Sequence, residues 1–205
     1  MQPFETINGP AMVLDRDNVD TDVIIRIERL TELAKDELGP YAFEALRKRA
    51  DGSPDPDCVF NQRSPGAAPI LIAGRNFGCG SSREGAIWAI ADLGIKCIIA
   101  PSFGGIFANN AFQNGMLTIE LPDTTVRALR DIAAADPDAP FTVDLATATV
   151  RPPNGAPIKF EIAKMRQQAL LEGRDDISMT LSRADDISAF HERDRTERPW
   201  IYTIG

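Results

Sequence analysis

The chain is poor in the residues that most often carry chemistry. It holds one histidine, His191, in 205 residues, which removes most histidine-based nucleophile and general-base schemes. Its three cysteines, Cys58, Cys79 and Cys97, are odd in number, widely spaced and without a C-x-x-C pair. That arrangement argues against a disulfide framework and against a self-contained zinc or iron–sulfur site. No apolar run approaches the roughly 18 residues of a membrane span. The opening stretch, MQPFETINGPAMVLDRD, is acidic early and lacks a basic-then-apolar leader pattern, so a cytoplasmic protein is expected. Positive charge is scarce as well: 22 Lys and Arg stand against 30 Asp and Glu, a net charge of −8. General binding to nucleic acid or to anionic membranes is therefore not expected, and an anionic ligand would need a local basic site.

What is present is enough for a core. The chain is 43% hydrophobic and 25% charged, values of an ordinary globular protein, and its length suits one domain with appendages. Residues 4–14 and 22–27 read as strands around the polar turn 15–22, and 30–50 reads as helix from its three- and four-residue apolar steps. A Pro/Gly/Asp-rich connection, about 51–68, reads as an exposed loop. Strand and helix then alternate: strand 69–76, helix 84–93, strand 95–100, helix 104–112, strand 116–121, helix 123–135. That alternation predicts α/β layering with some parallel pairing. Residues 141–150 alternate at period two, and Pro152-Pro153-Asn154-Gly155 turns them into 157–162 as a hairpin. A helix over 163–173 leads to a charged, peripheral tail at about 186–205. One domain over 1–205 is expected.

The stretch GRNFGCGSSREGAIWAIAD, 74–92, is the most informative. An apolar strand feeds a glycine-rich turn that empties into a helix, with Ser81-Ser82-Arg83-Glu84 at the helix mouth. There the backbone offers unpaired N–H groups and a positive dipole end, able to hold a carboxylate or ease the charging of an oxygen. The turn fails the dinucleotide fingerprint at Arg83, and fails the Walker A loop and the G-x-S-x-G elbow too. Ser81 to Glu84 also fits a capping box, worth about 1 kcal/mol as a purely structural device. A serine beside an arginine at such a terminus is, equally, a place where an alkoxide could act as a base.

GRNFGCGSSRE, followed by GIKCIIAPSFGGIFANNAFQNGMLTIEL, resembles the swivelling domain of the aconitase superfamily. More narrowly, the chain resembles the small-subunit family of 3-isopropylmalate dehydratase. The likeness extends through Asp15–Ile25, through Ser102-Phe103, Ile106-Phe107, Asn110 and Asn114-Gly115, and through Leu170-Leu171-x-Gly173-x-Asp175-Asp176-Ile177 with Thr180-Leu181. Four such pieces in order are specific. The resemblance implies an aconitase-type α/β fold, a layered mixed β-sheet with flanking helices and a C-terminal helical tail. It implies a hydro-lyase interconverting 2- and 3-isopropylmalate in leucine biosynthesis, active only with a separate large subunit that holds a [4Fe-4S] cluster. This chain would bind no cofactor or metal of its own, no nucleic acid and no membrane; its small-molecule partner would be a dicarboxylate.

By the same resemblance Ser81 is the catalytic base and Asp22 lies near it. Ser82 and Arg83 bind the substrate carboxylate, and Arg26 and Arg29 belong to a loop that discriminates substrates. Gly85 stands where the family generally has histidine, and Arg26 where proline is common. Both departures point to a related 2-alkylmalate, such as 2-methylmalate or dimethylmalate, as the alternative substrate; a non-catalytic carboxylate-binding module is the alternative of another class. Asp20, Asn109, Asn110, Gln113 and Asn114 read as turn and helix-end residues, Trp88 and Phe103 as core, Cys79 as a small turn residue and His191 as surface. An apolar docking patch is expected beside the Ser81 turn.

Overall fold

A computed structural model describes residues 1–80 and 83–202. Strands β1 (Ile7–Gly9) and β2 (Ala11–Leu14) open the chain, followed by short helices α1 (Thr21–Ile24), α2 (Ile27–Glu32) and α3 (Glu44–Arg47). The α/β alternation comes next: β3 (Ile70–Ala73), α4 (Gly85–Asp92), β4 (Cys97–Ala100), α5 (Gly105–Gln113), β5 (Leu117–Glu120) and α6 (Asp123–Ala135). A meander of β6 (Phe141–Asp144), β7 (Thr149–Arg151) and β8 (Ile158–Lys159) follows, then α7 (Lys164–Glu172), α8 (Asp176–Leu181) and α9 (Ala184–Glu197).

Two four-stranded sheets result among the described residues. β2, β3, β4 and β5 lie side by side in that order, all parallel, with Ala11 opposite Ile70, Ile70 opposite Cys97 and Cys97 opposite Leu117. β1, β6, β7 and β8 form an antiparallel sheet. β3 and β4 are buried along their whole length, as strands of a parallel sheet covered on both faces must be. The period-two geometry of a strand sends Leu71, Ala73, Ile98 and Ala100 into one core with α4 and α5. Ile70, Ile72, Cys97 and Ile99 point the other way, into a core shared with α6 and the antiparallel sheet. Each fully buried Ile or Leu contributes on the order of 1.5–3 kcal/mol of apolar transfer, so these two strands anchor the fold.

Three of the expected elements are corrected. Residues 22–27 do not form a strand: the Asp20 carboxylate accepts a hydrogen bond from Val23 N at 2.8 Å and caps α1 instead. That cap overrides the β preference of Val23, Ile24 and Ile25. The helix expected over 30–50 is broken into α2, a 3-10 turn at Lys35–Glu37, another at Gly39–Tyr41 and α3. Pro40 removes a backbone donor there, and Phe43 takes a left-handed φ of +56°, which ends any continuous helix. The run 141–150 is not one strand, since Asp144 accepts from Thr147 N and turns the chain between β6 and β7. The turn at 152–155 does join β7 to β8 as expected.

The loop 51–68 is exposed over much of its length but pinned by Phe60, which is buried and stacked on Phe43 with ring centroids 4.1 Å apart. α9 is largely exposed; its one buried residue, Asp194, accepts from Arg198 and from the Tyr202 hydroxyl at 2.8 Å. Among the described residues no helix is long and apolar enough to cross a membrane.

Candidate functional site

The site is assembled where three loops leave the carboxyl ends of β2, β3 and β4. These loops continue the ladder of the sheet beyond its strands. Asn18 N donates to Arg75 O at 2.8 Å, Gly78 N to Val19 O at 2.7 Å and Thr21 N to Cys79 O at 3.1 Å, tying the 15–21 loop to the 74–80 turn. On the other side Phe77 N donates to Ser102 O at 3.1 Å and Gly104 N to Phe77 O at 2.9 Å. The turn is therefore held from both sides, at the carboxyl end of a parallel sheet where ligands commonly bind.

Two glycines of this turn have a left-handed φ. Gly78 has φ +71° and a Cβ there would sit 2.1 Å from Phe107 Cγ; Gly80 has φ +91°. Phe107 belongs to a small aromatic stack beneath the turn: Phe77 meets it edge-on at 5.4 Å, and Phe103 lies parallel to it at 6.3 Å. The rings give the turn a firm floor.

Two of the sequence-derived site residues meet. The Arg83 guanidinium forms a hydrogen-bonded ion pair with the Asp22 carboxylate, joining the mouth of α4 to α1. Both side chains are reachable, Asp22 60% and Arg83 33% exposed, so the pair lies on an open surface. Ser81 and Ser82 lie outside the described residues, immediately before Arg83. Asp20 is the cap of α1, in line with its reading as a turn former.

The capping box read over Ser81 to Glu84 turns on Ser81, which lies outside the described residues. α4 begins at Gly85 with Glu84 as its N-cap residue, and the Glu84 carboxylate accepts from Asn114 Nδ2 at 2.7 Å. Asn114 is a hub. Its Nδ2 also donates to Asn110 O at 2.9 Å, and its Oδ1 accepts from Trp88 Nε1 at 3.1 Å and Lys35 Nζ at 3.3 Å. The Lys35 ammonium also stands 4.8 Å from the centre of the Trp88 ring, a cation–π arrangement. Lys35, the bond between Glu84 and Asn114, and Leu30, which packs on Gly85, escape a reading of the sequence. Nothing in the spacing of 30–35 against 84–88 announces that these segments touch.

The two arginines after α1 have different surroundings. Arg26 is 62% exposed, with Glu28 at 3.5 Å. Arg29 donates from Nε and Nη2 to the Glu44 carboxylate at 3.2 Å and lies 4.2 Å over the Tyr41 ring. Lys48 completes that cluster, and its hydrogen bond, with Arg29 beside it, holds the Glu44 carboxyl below the usual range. Arg29 is thus engaged in fastening α2 to α3, and Arg26 is the more available of the pair.

The chain's cysteines do not suit a cluster. Cys97 is fully buried in β4, where desolvation pushes its thiol well up, Cys58 lies in the loop before Phe60, and Cys79 sits in the glycine turn. Among the described residues no three His, Cys, Asp or Glu side chains gather to hold a metal ion. Two apolar side chains are exposed on the elements flanking the turn, Ile27 (46%) on α2 and Ile106 (52%) on the first turn of α5.

Comparison with known proteins agrees along the whole length. The aconitase C-terminal domain model matches residues 1–124, a model described as LeuD_N matches 127–163, and the model of the C-terminal domain of the 3-isopropylmalate dehydratase small subunit matches 176–203. The chain is 47% identical over 201 residues to the 3-isopropylmalate dehydratase small subunit of Paramagnetospirillum magneticum, covering 98% of this chain and 100% of that one. It is 47% identical to the protein of the same name from Rhodospirillum centenum, with 98% of each chain covered. A crystal structure of 3-isopropylmalate dehydratase (leuD) from Methanocaldococcus jannaschii superposes with a TM-score of 0.66 at 28% identity, covering 90% of this chain and 99% of that one.

Proposed function

Because this chain belongs to the family of 3-isopropylmalate dehydratase small subunits, we propose that it is one half of a heteromeric hydro-lyase. The enzyme interconverts 2-isopropylmalate and 3-isopropylmalate by dehydration and rehydration in leucine biosynthesis. The observation that carries the division of labour is the Asp22–Arg83 pair on an open surface at the mouth of α4. An open half-site of this kind supports closure by a second subunit, and the exposed Ile27 and Ile106 beside it offer that subunit an apolar footing.

The residues take the following roles. Arg83 presents a permanently charged fork to a substrate carboxylate, with Ser82 donating beside it. Asp22 holds the guanidinium in place from α1. Ser81 removes the proton from the carbon next to the carboxylate as the hydroxyl of the adjacent carbon departs as water. On rehydration a proton returns to the carbon that lost the hydroxyl, while water adds to the other. A serine hydroxyl is a poor base in water, so the site must stabilise its oxyanion, through the positive end of α4 and the neighbouring guanidinium. Arg26, and through its fastening of α2 Arg29, shape the side of the site that meets the alkyl group. The [4Fe-4S] cluster is assigned to the large subunit, a reading that the scattered positions of Cys58, Cys79 and Cys97 support. The chain acts as a single swivel-type domain in the cytoplasm, with 186–205 as a peripheral tail.

The test is hydration of isopropylmaleate by this chain assembled with its cluster-loaded large subunit. The reading expects turnover by the complex, none by this chain alone, and a clear preference over citraconate. Ser81→Ala should retain substrate binding and lose about three powers of ten in kcat, the scale of a lost general base. An assembled, cluster-loaded complex that leaves isopropylmaleate untouched would refute the assignment.

A further inference from the structure

Gly85 is the first residue of α4 and lies two places beyond Arg83. It is buried, and a Cβ built on it would stand 2.4 Å from Leu30 Cδ2 and 2.6 Å from Leu30 Cδ1. The Leu30 side chain therefore occupies the volume in which a side chain at 85 would lie. Glycine in a first helical turn is unfavourable on propensity alone, and here packing by a residue of another helix offsets it.

Leu30 is also one of the few attachments α2 possesses. That helix has six residues, contains no buried one and is too short to be stable by itself. It is held by Arg29 to Glu44 on one flank and by Leu30 over Gly85 on the other. Arg26 at its head and Ile27 in its first turn remain exposed.

We propose that Leu30 is a positioning residue for substrate selection. Through its contact with Gly85 it sets the distance between the exposed head of α2, carrying Arg26 and Ile27, and the carboxylate-holding Arg83. This rests on the reading that Arg83 grips the substrate and that the α2 segment meets its alkyl group. A substrate is then measured between two elements whose spacing this apolar contact sets on one flank, as the bond from Arg29 to Glu44 does on the other. Loosening that contact blurs discrimination between alkyl groups without removing the proton-transferring machinery.

The experiment compares Leu30→Ala, Gly85→Ala and the double variant in the assembled, cluster-loaded complex, with isopropylmaleate and citraconate as substrates. Leu30→Ala should raise KM for isopropylmaleate about tenfold, leave kcat within about twofold, and narrow the ratio of kcat/KM between the two substrates. Gly85→Ala should do the same by displacing Leu30. The double variant should be less impaired than the two losses multiplied together, because the new methyl group fills the space Leu30 has left. Leu30→Val, a milder truncation, gives the same reading in smaller measure if the alanine variants fail to fold. Equal losses on both substrates, strictly multiplicative losses, or a fall in melting temperature with unchanged selectivity would overturn the proposal. Wild-type complex run alongside separates the two readings. No wild-type turnover on either substrate overturns the functional assignment, whereas wild-type turnover with selectivity unmoved by Leu30→Ala overturns this inference alone.

Discussion

Asp22 and Arg83, 61 residues apart in sequence, form a hydrogen-bonded ion pair that joins the first turn of α1 to the mouth of α4. With Asp22 60% and Arg83 33% exposed, solvent screens the attraction, and pairs of this kind contribute about 1 kcal/mol or less to stability. Its value lies in aiming the guanidinium. Asp22→Asn should therefore shift the melting temperature by only a few degrees and reduce kcat/KM of the assembled enzyme by about 10- to 100-fold. Thermal melts and steady-state hydration kinetics on the same preparation check both halves. A large loss of stability with intact kinetics would make the pair structural only.

The sequence is most legible where periodicity and turn chemistry agree. The parallel strands β3 and β4 are short apolar runs bounded by Pro69 and Gly74 and by Gly94 and Pro101, and they fall within the expected spans. The α4, α5 and α6 boundaries lie within a residue or so of expectation. The region 22–50 misleads because its signals compete. Val23-Ile24-Ile25 favours a strand, yet one carboxylate, Asp20, captures Val23 N and forces a helical turn. Leucines and alanines at helical spacing run across Gly39-Pro40, where the helix cannot pass. The meeting of Asp22 with Arg83 follows from the family resemblance and not from spacing. The hub at Asn114 is invisible for another reason: its partners come from 30, 26 and 79 residues away, and no local pattern records such distances.

That hub supports a second expectation. The Asn114 amide is fully used, with Nδ2 donating to Glu84 and to Asn110 O and Oδ1 accepting from Trp88 and Lys35. Asn114→Asp places a carboxylate oxygen where Glu84 expects a donor. The repulsion and the orphaned acceptors should cost about 1–3 kcal/mol, a melting-temperature drop of several degrees for a chain of this size. Adding Glu84→Gln supplies an amide that can donate to the new carboxylate at position 114, so the double variant should recover most of the loss. Melts of the four proteins form a double-mutant cycle. Additive losses would show that the hydrogen bond between positions 84 and 114 contributes nothing.

The cluster around Glu44 fixes an expectation in pH. Lys48 first and Arg29 second hold the Glu44 carboxyl below its ordinary value. A carboxylate with a lowered folded pKa stabilises the fold fully above its unfolded pKa, about 4.3, and that contribution fades as pH falls through the lower, folded value. Asp51, Asp175 and Asp194 are shifted the same way by their own partners, so a fall of melting temperature below about pH 5 is expected of the whole protein. Comparison with Glu44→Gln isolates one group, since the other carboxylates act equally in both proteins. The variant should melt lower than wild type at neutral pH, and the gap should shrink steadily as the pH is taken toward about 3. Because Glu44 also secures Arg29 and hence α2, the variant should show a weakened preference for isopropylmaleate at neutral pH, where its stability is ample. A gap in melting temperature that stays constant from neutral to acid would mean that Glu44 contributes by packing and not by its charge.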